Sequence, residues 1–187
     1  MKGFELCSIE SKKDIDFLYS IFTGADQFLY STNLRFNSKQ SFENWIHERI
    51  GTDFHDFFLV KDNLKNVLIG YVHNYDFSLI DGHCKLSVYI DEKYRKTGIG
   101  GFVAIHFVDY LFAKYPLRKV YSTIYDYNSE SLNSNLAAGF IEEGIIGDYR
   151  YHDGRYYAIH YLSMNREKFN DSIGKLSLIH ISEPTRH

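Results

Sequence analysis

The segment over residues 87–101 places the strongest constraint on the fold of this chain. Ser87, Val88, Tyr89 and Ile90 are followed by acidic residues and then by a basic, glycine-rich run that leads into an apolar stretch with helical spacing. This order is typical of a strand, a loop and the first turn of a helix. Helix-start amides lack intrahelical acceptors and carry partial positive charge, and glycines let a ligand oxygen reach them. We interpret the segment as a phosphate or pyrophosphate site.

The spacing of the glycines excludes two common nucleotide motifs. Gly98, Gly100 and Gly101 form Gly-x-Gly-Gly, which is not the G-x-G-x-x-G of a dinucleotide fold, and no acidic residue stands at the required place on a following strand. Lys96 precedes the glycines, whereas the lysine of a P-loop follows them. The alternative to an anion site is an ordinary glycine-rich turn in which Arg95 and Lys96 are solvated.

The composition narrows the class of protein. A length of 187 residues suits one domain with a substantial core. The net charge of −3 argues against a nucleic-acid partner, and no apolar run is long enough to predict a membrane span. Two cysteines without a CxxC spacing favour a reducing compartment, so we predict a cytoplasmic protein. The aromatic content of 17% is compatible with a pocket wall or a homodimer interface as well as a core.

Periodicity along the chain predicts alternating helices and strands. Helices are expected over residues 11–22, 38–50, 99–114 and 129–138. Strands are expected over residues 4–9, 56–61, 67–75, 85–90 and 119–125. Ser11-x-x-Asp14 resembles a capping box, and Gly51 is a candidate C-cap. Asp153-Gly154 lies between two aromatic runs and predicts a type I′ hairpin of residues 147–151 and 155–159.

This element order indicates a single α+β domain with a mixed sheet, which we place over residues 1–170. Residues 176–187 follow a Gly-Lys break and continue none of the patterns before them. We interpret them as a non-native tail, and the alternative is a genuine terminal strand.

Two separated motifs resemble those of the GNAT family of N-acetyltransferases. Arg95-x-x-Gly98-x-Gly100 is similar to the family's pyrophosphate loop, Arg/Gln-x-x-Gly-x-Gly/Ala. Residues 128–131, Asn-Ser-Glu-Ser, begin a predicted helix that residues 138–140, Ala-Gly-Phe, end, as in the family's Asn-x-x-Ala/Ser … Gly-Phe signature. The resemblance spans about residues 4–169 and looks closest to the ribosomal-protein N-terminal and polyamine acetyltransferase branch. It implies a mixed, mostly antiparallel, twisted sheet flanked by helices.

The resemblance implies acetyl-CoA as the cofactor and gives its binding residues by position. Backbone groups of the fourth strand would pair with pantetheine, the loop would hold the pyrophosphate, and the start of the next helix would contact pantetheine again. The matching positions are Val88, Tyr89 and Ile90 on the strand, Arg95, Lys96, Thr97, Gly98, Ile99, Gly100 and Gly101 in the loop, and Asn128 and Ser131 at the helix. No metal site is assigned. Asn128 has the alternative role of an ordinary N-cap.

The usual proton-transfer positions of the family hold unsuitable residues in this chain. Asn135 stands where many relatives have a tyrosine acid, and Lys85 stands where an acidic residue is frequent. Substitutes for the catalytic role are His73, which titrates near neutral pH, and Tyr89. The family's acceptor specificity comes from the loop between the first two helices, here with Asp26, Phe28 and Tyr30, and from the last hairpin, and Tyr75 on the third strand is a further candidate for contact with the amine. For each of these residues a core or solvated role is the alternative.

The resulting functional prediction is an acetyl-CoA-dependent N-acetyltransferase acting on a primary amine of a small molecule, such as a polyamine or aminoglycoside, by direct attack in a ternary complex. Two alternatives stay open. One is acetylation of a protein N-terminus, with a peptide N-terminus as the partner. The other is an acyl-CoA-binding module without activity, which the residues at positions 85 and 135 favour.

Overall fold

The computed structural model describes residues 3–29, 34–50 and 52–171. In these residues the strands are β1 (Phe4–Cys7), β2 (Phe57–Asp62), β3 (Val67–Ser78), β4 (His83–Ile90), β5 (Lys119–Tyr125), β6 (Ile141–His152) and β7 (Arg155–Asn165). The helices between them are α1 (Lys12–Phe22), α2 (Lys39–Ile50), α3 (Ile99–Lys114) and α4 (Ser129–Ala137). Two 3-10 turns, Ala25–Leu29 and Glu92–Tyr94, precede α2 and α3.

The strands form one seven-stranded sheet in the order β1-β2-β3-β4-β5-β7-β6. Every neighbouring pair is antiparallel except β4 and β5, which run parallel because α3 connects them as a crossover. The predicted mixed, mostly antiparallel α+β fold is confirmed. No helix in the described part of the chain is long and apolar enough to span a membrane.

Helices cover the two faces of the sheet unequally. Leu18 of α1 and Ile46 of α2 pack with Tyr71 of β3 on one face, over the β2–β3 part of the sheet. On the other face, Val103, Phe107 and Leu111 line one side of α3 and are fully buried against β3, β4 and β5. The second cluster is the main core, and it fixes the start of α3 against the end of β4.

Most local signals in the sequence correspond to the observed elements. The capping box at the start of α1 forms, because Ser11 Oγ accepts from the Asp14 amide and Asp14 Oδ2 accepts from the Ser11 amide. Asp153 and Gly154 both have positive φ, as a type I′ turn requires. Gly51 and residues 176–187 lie outside the described residues, so those two predictions are untested.

The boundaries of the last hairpin differ from the prediction. β6 and β7 continue to residues 141 and 165, well beyond the expected 147–151 and 155–159. The register between them shifts at Glu142/Gly144 and at Ile146/Arg150, and these irregularities interrupt the alternation that a strand prediction depends on. β3 likewise extends to Ser78, past an irregularity after Tyr75.

Candidate active site

A slot opens between the two parallel strands. β4 and β5 pair only where His83, Cys84 and Lys85 face Lys119, Val120 and Tyr121. On its other edge β4 stays paired with β3 as far as Ile90. The β5-facing edge of residues 86–90 therefore has no strand partner in the described sheet. Ile90 offers its carbonyl to Arg95 Nε at 2.9 Å, and the other backbone groups directed to this edge are placed to pair with an extended ligand that carries amide groups.

The anion loop, defined here as residues 95–101, lies at the end of this slot. Gly98 is the N-cap of α3, has φ +82° and offers no side chain to the helix amides. Ile99 N–H donates to Thr97 Oγ1 at 3.4 Å, while the next amides, those of Gly100 and Gly101, belong to the helix turn that has no carbonyl partner of its own. The loop thus presents backbone donors and a helix dipole to an anion.

Helix α4 packs against the beginning of α3. A Cβ added at Gly101 would lie 3.2 Å from Ser134 Oγ, so the glycine allows this close approach. Asn128 Oδ1 accepts from the Ser131 amide at 3.3 Å and caps α4. Further along, Asn135 Nδ2 donates to the Ser131 carbonyl at 2.9 Å, and its buried Oδ1 has no hydrogen-bond partner within the described structure.

The cations of the anion loop are engaged with carboxylates. Arg95 Nε donates to the Ile90 carbonyl at 2.9 Å, and Arg95 Nη2 lies 2.5 Å from Asp26 Oδ2. Lys96, which has φ +63° and a side chain that is 80% exposed, pairs with Glu130 of α4 at 3.1 Å. The first pair is well shielded and the second is solvated, so only the first fixes a geometry.

Two of the predicted acceptor residues, Asp26 and Phe28, lie on the face of the sheet away from α3, where Tyr89 of β4 points. Asp26 comes from the Ala25–Leu29 turn, which we call the acceptor turn, and accepts from the Tyr89 hydroxyl at 3.0 Å. Phe28 stacks on His152 at the tip of the β6–β7 hairpin with ring centroids 4.9 Å apart, and its carbonyl accepts from the Tyr127 hydroxyl at 2.5 Å. These contacts join the acceptor turn to the last hairpin across the end of the slot.

Comparison with known proteins identifies the family. A family model described as an acetyltransferase (GNAT) domain matches residues 14–161. The chain belongs to the GNAT acetyltransferase family. It is an N-acetyltransferase, as is a relative by name: the SPbeta prophage-derived uncharacterized N-acetyltransferase YokL of Bacillus subtilis is 24% identical over 132 residues, which are 71% of this chain and 73% of the relative.

Solved structures of GNAT enzymes have the same fold. A spermidine N-acetyltransferase from Vibrio cholerae in complex with CoA and spermine superposes with a TM-score of 0.81 at 20% identity, over 90% of this chain and 99% of that one. A dodecameric form of spermidine N-acetyltransferase from the same organism gives a TM-score of 0.78 at 19% identity, over 92% and 99% of the two chains.

GNAT enzymes use acetyl-CoA, and the residues of this acetyltransferase fit it. The edge of Val88, Tyr89 and Ile90 is open toward β5, and the anion loop donates amides at the end of that edge. The Val88 and Ile90 side chains pack with the α3 core, whereas Tyr89 points to the acceptor side. The strand edge and the anion loop therefore follow one another along the chain, and α4, which Asn128 caps, packs against the start of α3.

His73 does not suit the catalytic role that the sequence suggested for this acetyltransferase. His73 is 6% exposed, its ring lies nearly parallel to those of both His55 and Phe57, and its Nδ1 contacts the Asn74 carbonyl at 3.2 Å. Burial, with the charge of neighbouring His55 as a smaller cause, lowers the pKa of His73 to about 3. A group with so low a pKa accepts protons poorly near neutral pH, so the structure argues against His73 as the base.

Tyr89 and Lys85, two other ionisable residues near the slot, keep their protons at neutral pH and can act as hydrogen-bond donors but not as bases. Burial, and then the hydrogen bond to Asp26, raise the pKa of Tyr89 to about 12, so this phenol stays protonated. Burial alone would lower the pKa of Lys85, but the hydrogen bond from its ammonium to Asp76 at 2.9 Å outweighs burial, and the pKa is raised above the usual value. Tyr75 lies 3.4 Å from Thr123 Oγ1, across β4, on the same face as Tyr89.

Tyr127 was not predicted from the sequence, whereas His152 and Arg150 lie in the last hairpin, which the family resemblance assigned to the acceptor. Tyr127 and His152 wall the acceptor turn, and Arg150 lies over the Tyr125 ring with its guanidinium 5.5 Å from the centroid. The only signal for Tyr127 was its place just before Asn128, at the end of β5. Tyr30, which was predicted to contact the amine, lies outside the described residues.

Proposed function

We propose that this chain transfers the acetyl group of acetyl-CoA directly to a primary amine of a small, polyamine-like cation. The observation that carries the proposal is the convergence of a carboxylate and aromatic rings at the open end of the slot. Asp26 accepts from the Tyr89 hydroxyl, and Phe28 of the same turn packs against the Tyr127 ring with centroids 5.9 Å apart. Carboxylates and the faces of aromatic rings both attract ammonium groups.

The chain's own residues divide the work between two sides of β4. The loop amides and the strand edge hold and orient the cofactor, which supplies an activated acetyl group when bound. The acceptor turn holds the ammonium end of the amine next to the slot. Positioning of this kind supplies a large part of the rate, since it replaces an encounter between two free molecules.

Proton transfer to solvent is part of the proposal. The amine nitrogen gains a bond to the acetyl carbon and the carbon–sulfur bond breaks. The ammonium loses two protons, of which one ends on the CoA sulfur and one is released to solvent. Neither Lys85 nor Tyr89 is a base at neutral pH, because the pKa of each is raised and each keeps its proton. Water at the open acceptor side would carry the released proton away.

Two kinds of comparison support a polyamine as the class of acceptor. The Vibrio cholerae enzyme with a similar fold acts on spermidine and binds CoA together with spermine. In this chain the acceptor turn carries a carboxylate at the place where a cation would enter. Aminoglycosides and peptide N-termini would react by the same amine chemistry, so a comparison of acceptors in one assay is needed to distinguish them from polyamines.

The test is thiol release from acetyl-CoA over a panel of spermidine, spermine, putrescine, aminoglycosides and short peptides, with product masses recorded. We expect acetylation of the polyamines. Modification of peptides alone would support an N-terminal acetyltransferase instead. Binding of acetyl-CoA without transfer to any acceptor would support the acyl-CoA-binding module. Asp16→Asn is a suitable control variant, since Asp16 pairs with Lys39 away from the slot.

A further inference from the structure

One carboxylate connects the two substrate sites. Asp26 Oδ2 accepts from Arg95 Nη2 at 2.5 Å and from Tyr89 Oη at 3.0 Å. Arg95 belongs to the anion loop, and Asp26 belongs to the acceptor turn, 69 residues away in the chain. The Arg95 and Asp26 side chains are only 22% and 27% exposed, so this ion pair is sheltered from solvent.

The ion pair between Arg95 and Asp26 prevents each residue from binding its expected ligand. An anion loop gains affinity from a guanidinium directed at the phosphates, and an ammonium site gains affinity from an unpaired carboxylate. In the structure Arg95 and Asp26 neutralise each other. A pyrophosphate carries more negative charge than one carboxylate and accepts both arms of the guanidinium fork, which makes it the stronger partner for Arg95.

We propose that Arg95 exchanges partners when CoA binds, leaving Asp26 for the pyrophosphate and thereby releasing the Asp26 carboxylate to bind the ammonium group of the amine. The proposal rests on the proposed function for its second half. It assigns Asp26 as the residue that selects a cationic acceptor and makes CoA the first substrate to bind. Binding of either substrate then strengthens binding of the other by the same factor.

The surrounding contacts suit an exchange of this kind. Arg95 Nε is held by the Ile90 carbonyl at 2.9 Å, which anchors the side chain at the end of β4 while its outer nitrogen contacts Asp26. The exchange therefore asks for a change in side-chain torsion rather than movement of the backbone. The Tyr89 hydroxyl also holds Asp26, so the carboxylate keeps a donor and its position when the guanidinium leaves.

A static arrangement makes the opposite prediction for one variant. If Arg95 stayed on Asp26 and contacted the phosphates with its other N–H groups, Asp26 would orient the guanidinium, and removing the charge of Asp26 would weaken CoA binding. If Arg95 must leave Asp26, removing that charge strengthens CoA binding. Asp26→Asn keeps an oxygen for the Tyr89 hydroxyl and removes the negative charge, so the sign of its effect separates the two arrangements.

The first measurement is the calorimetric affinity for CoA alone. We expect Asp26→Asn to bind CoA between about twofold and tenfold more tightly than the unsubstituted protein, the range for loss of a competing ion pair. Glu130→Gln is the matched control, because it removes a carboxylate beside the same loop from the exposed pair with Lys96. Its CoA affinity should stay within about twofold. Unchanged or weaker binding in Asp26→Asn, or equal tightening in Glu130→Gln, would overturn the exchange.

The second measurement is the affinity for spermidine with and without CoA, where CoA replaces acetyl-CoA so that no turnover occurs. CoA should raise the spermidine affinity of the unsubstituted protein by at least about fivefold, a usual size for coupling between sites. Arg95→Gln should bind spermidine equally well with or without CoA, because Asp26 is already released. Coupling that persists unchanged in Arg95→Gln would contradict the proposal. If spermidine binds no form of the protein, the polyamine assignment fails, and the CoA titrations alone decide the exchange.

Discussion

The imidazole of His73 stacks on the phenyl ring of Phe57, with ring centroids 4.8 Å apart and planes 9° from parallel. The His55 ring also lies nearly parallel to that of His73, at 5.4 Å, and is 6.5 Å from the ring of Phe57. The register between β2 and β3 creates this arrangement, because it places Phe57 directly opposite His73. His73 is therefore part of the aromatic packing under α1 and α2, and its chemistry is that of a buried neutral ring.

This packing predicts that stability falls in mild acid. The pKa is lowered to about 3 for His73 and to about 4 for His55, mainly by burial, from 6.5 in the unfolded chain. Below pH 6.5 these histidines are protonated in the unfolded state but stay neutral in the folded state, so the free energy of unfolding decreases as the pH drops. Each histidine contributes a slope of up to about 1.4 kcal/mol per pH unit between its two pKa values.

Replacement of His73 isolates its share of the effect. His73→Phe keeps an aromatic ring in the stack and removes the titration. Urea unfolding between about pH 5 and about pH 7 should show a shallower loss of stability than in the unsubstituted protein. The pH profile of acetyl transfer should keep its shape, since His73 is not proposed as the base. An unchanged stability slope, or a lost limb of the rate profile, would count against this description.

The anion loop predicts a contrast between two glycine substitutions. Gly98 has φ +82°, where a β-branched side chain is strained by about 1–3 kcal/mol, and Gly98→Val should lower the melting temperature and abolish CoA binding. A Cβ at Gly100 would meet its nearest atom, Ile90 Cγ1, at 3.8 Å, so Gly100→Ala should fold normally. Its methyl group would stand at the amides, and calorimetry should find weaker CoA binding. Normal CoA affinity in both variants would remove the basis for the pyrophosphate site.

Local signals in the sequence were sufficient for the loop and its neighbours. The strand, the glycines and the helix start all lie within residues 87–101, and the Asp153-Gly154 turn depends on those two residues alone. Backbone preferences act over a few residues, so a single chain reveals them. The same reasoning identified Asn128 as the start of α4.

Local sequence signals could not predict the contacts between segments that are far apart in the chain. Asp26, Tyr89 and Arg95 were each predicted near the site, but nothing in the sequence indicates that one carboxylate oxygen binds both partners. That contact depends on how the acceptor turn folds back onto the end of β4. The burial of His73 has the same cause, since its pKa is set by residues that the sheet register brings beside it.

The capping contact of Asn128 predicts a separation between stability and cofactor affinity. Asn128→Ala should cost about 1 kcal/mol, because the Ser131 amide loses its acceptor. Asn128→Asp keeps an oxygen for that amide and should recover most of the stability in a thermal melt. An aspartate lacks the amide N–H groups that a pantetheine carbonyl would accept from, so CoA affinity should stay reduced. Recovery of both properties would make Asn128 a helix cap alone.

Asp56 is the acceptor at the centre of a network that holds the segment before β2 against α3. It is 9% exposed and accepts from the Tyr110 hydroxyl at 2.9 Å, from Lys114 Nζ at 2.5 Å and from the Tyr115 hydroxyl at 2.8 Å. Asp56→Ala leaves all three donors without this acceptor. We expect a loss of about 2–3 kcal/mol, at the lower end for a buried charge, because the Lys114 side chain is 43% exposed and regains water.

Two further variants provide reference values for the loss of unfolding free energy expected in Asp56→Ala. Tyr110→Phe removes one neutral donor and should cost about 1 kcal/mol in urea unfolding. Asp16→Ala breaks the solvated pair with Lys39, whose side chain is 39% exposed, and should stay within about 0.5 kcal/mol. The order of the three losses is the decisive result, since it depends on burial and not on the number of ion pairs. If Asp56→Ala cost no more than Asp16→Ala, the network would add nothing to the stability of the α3 face.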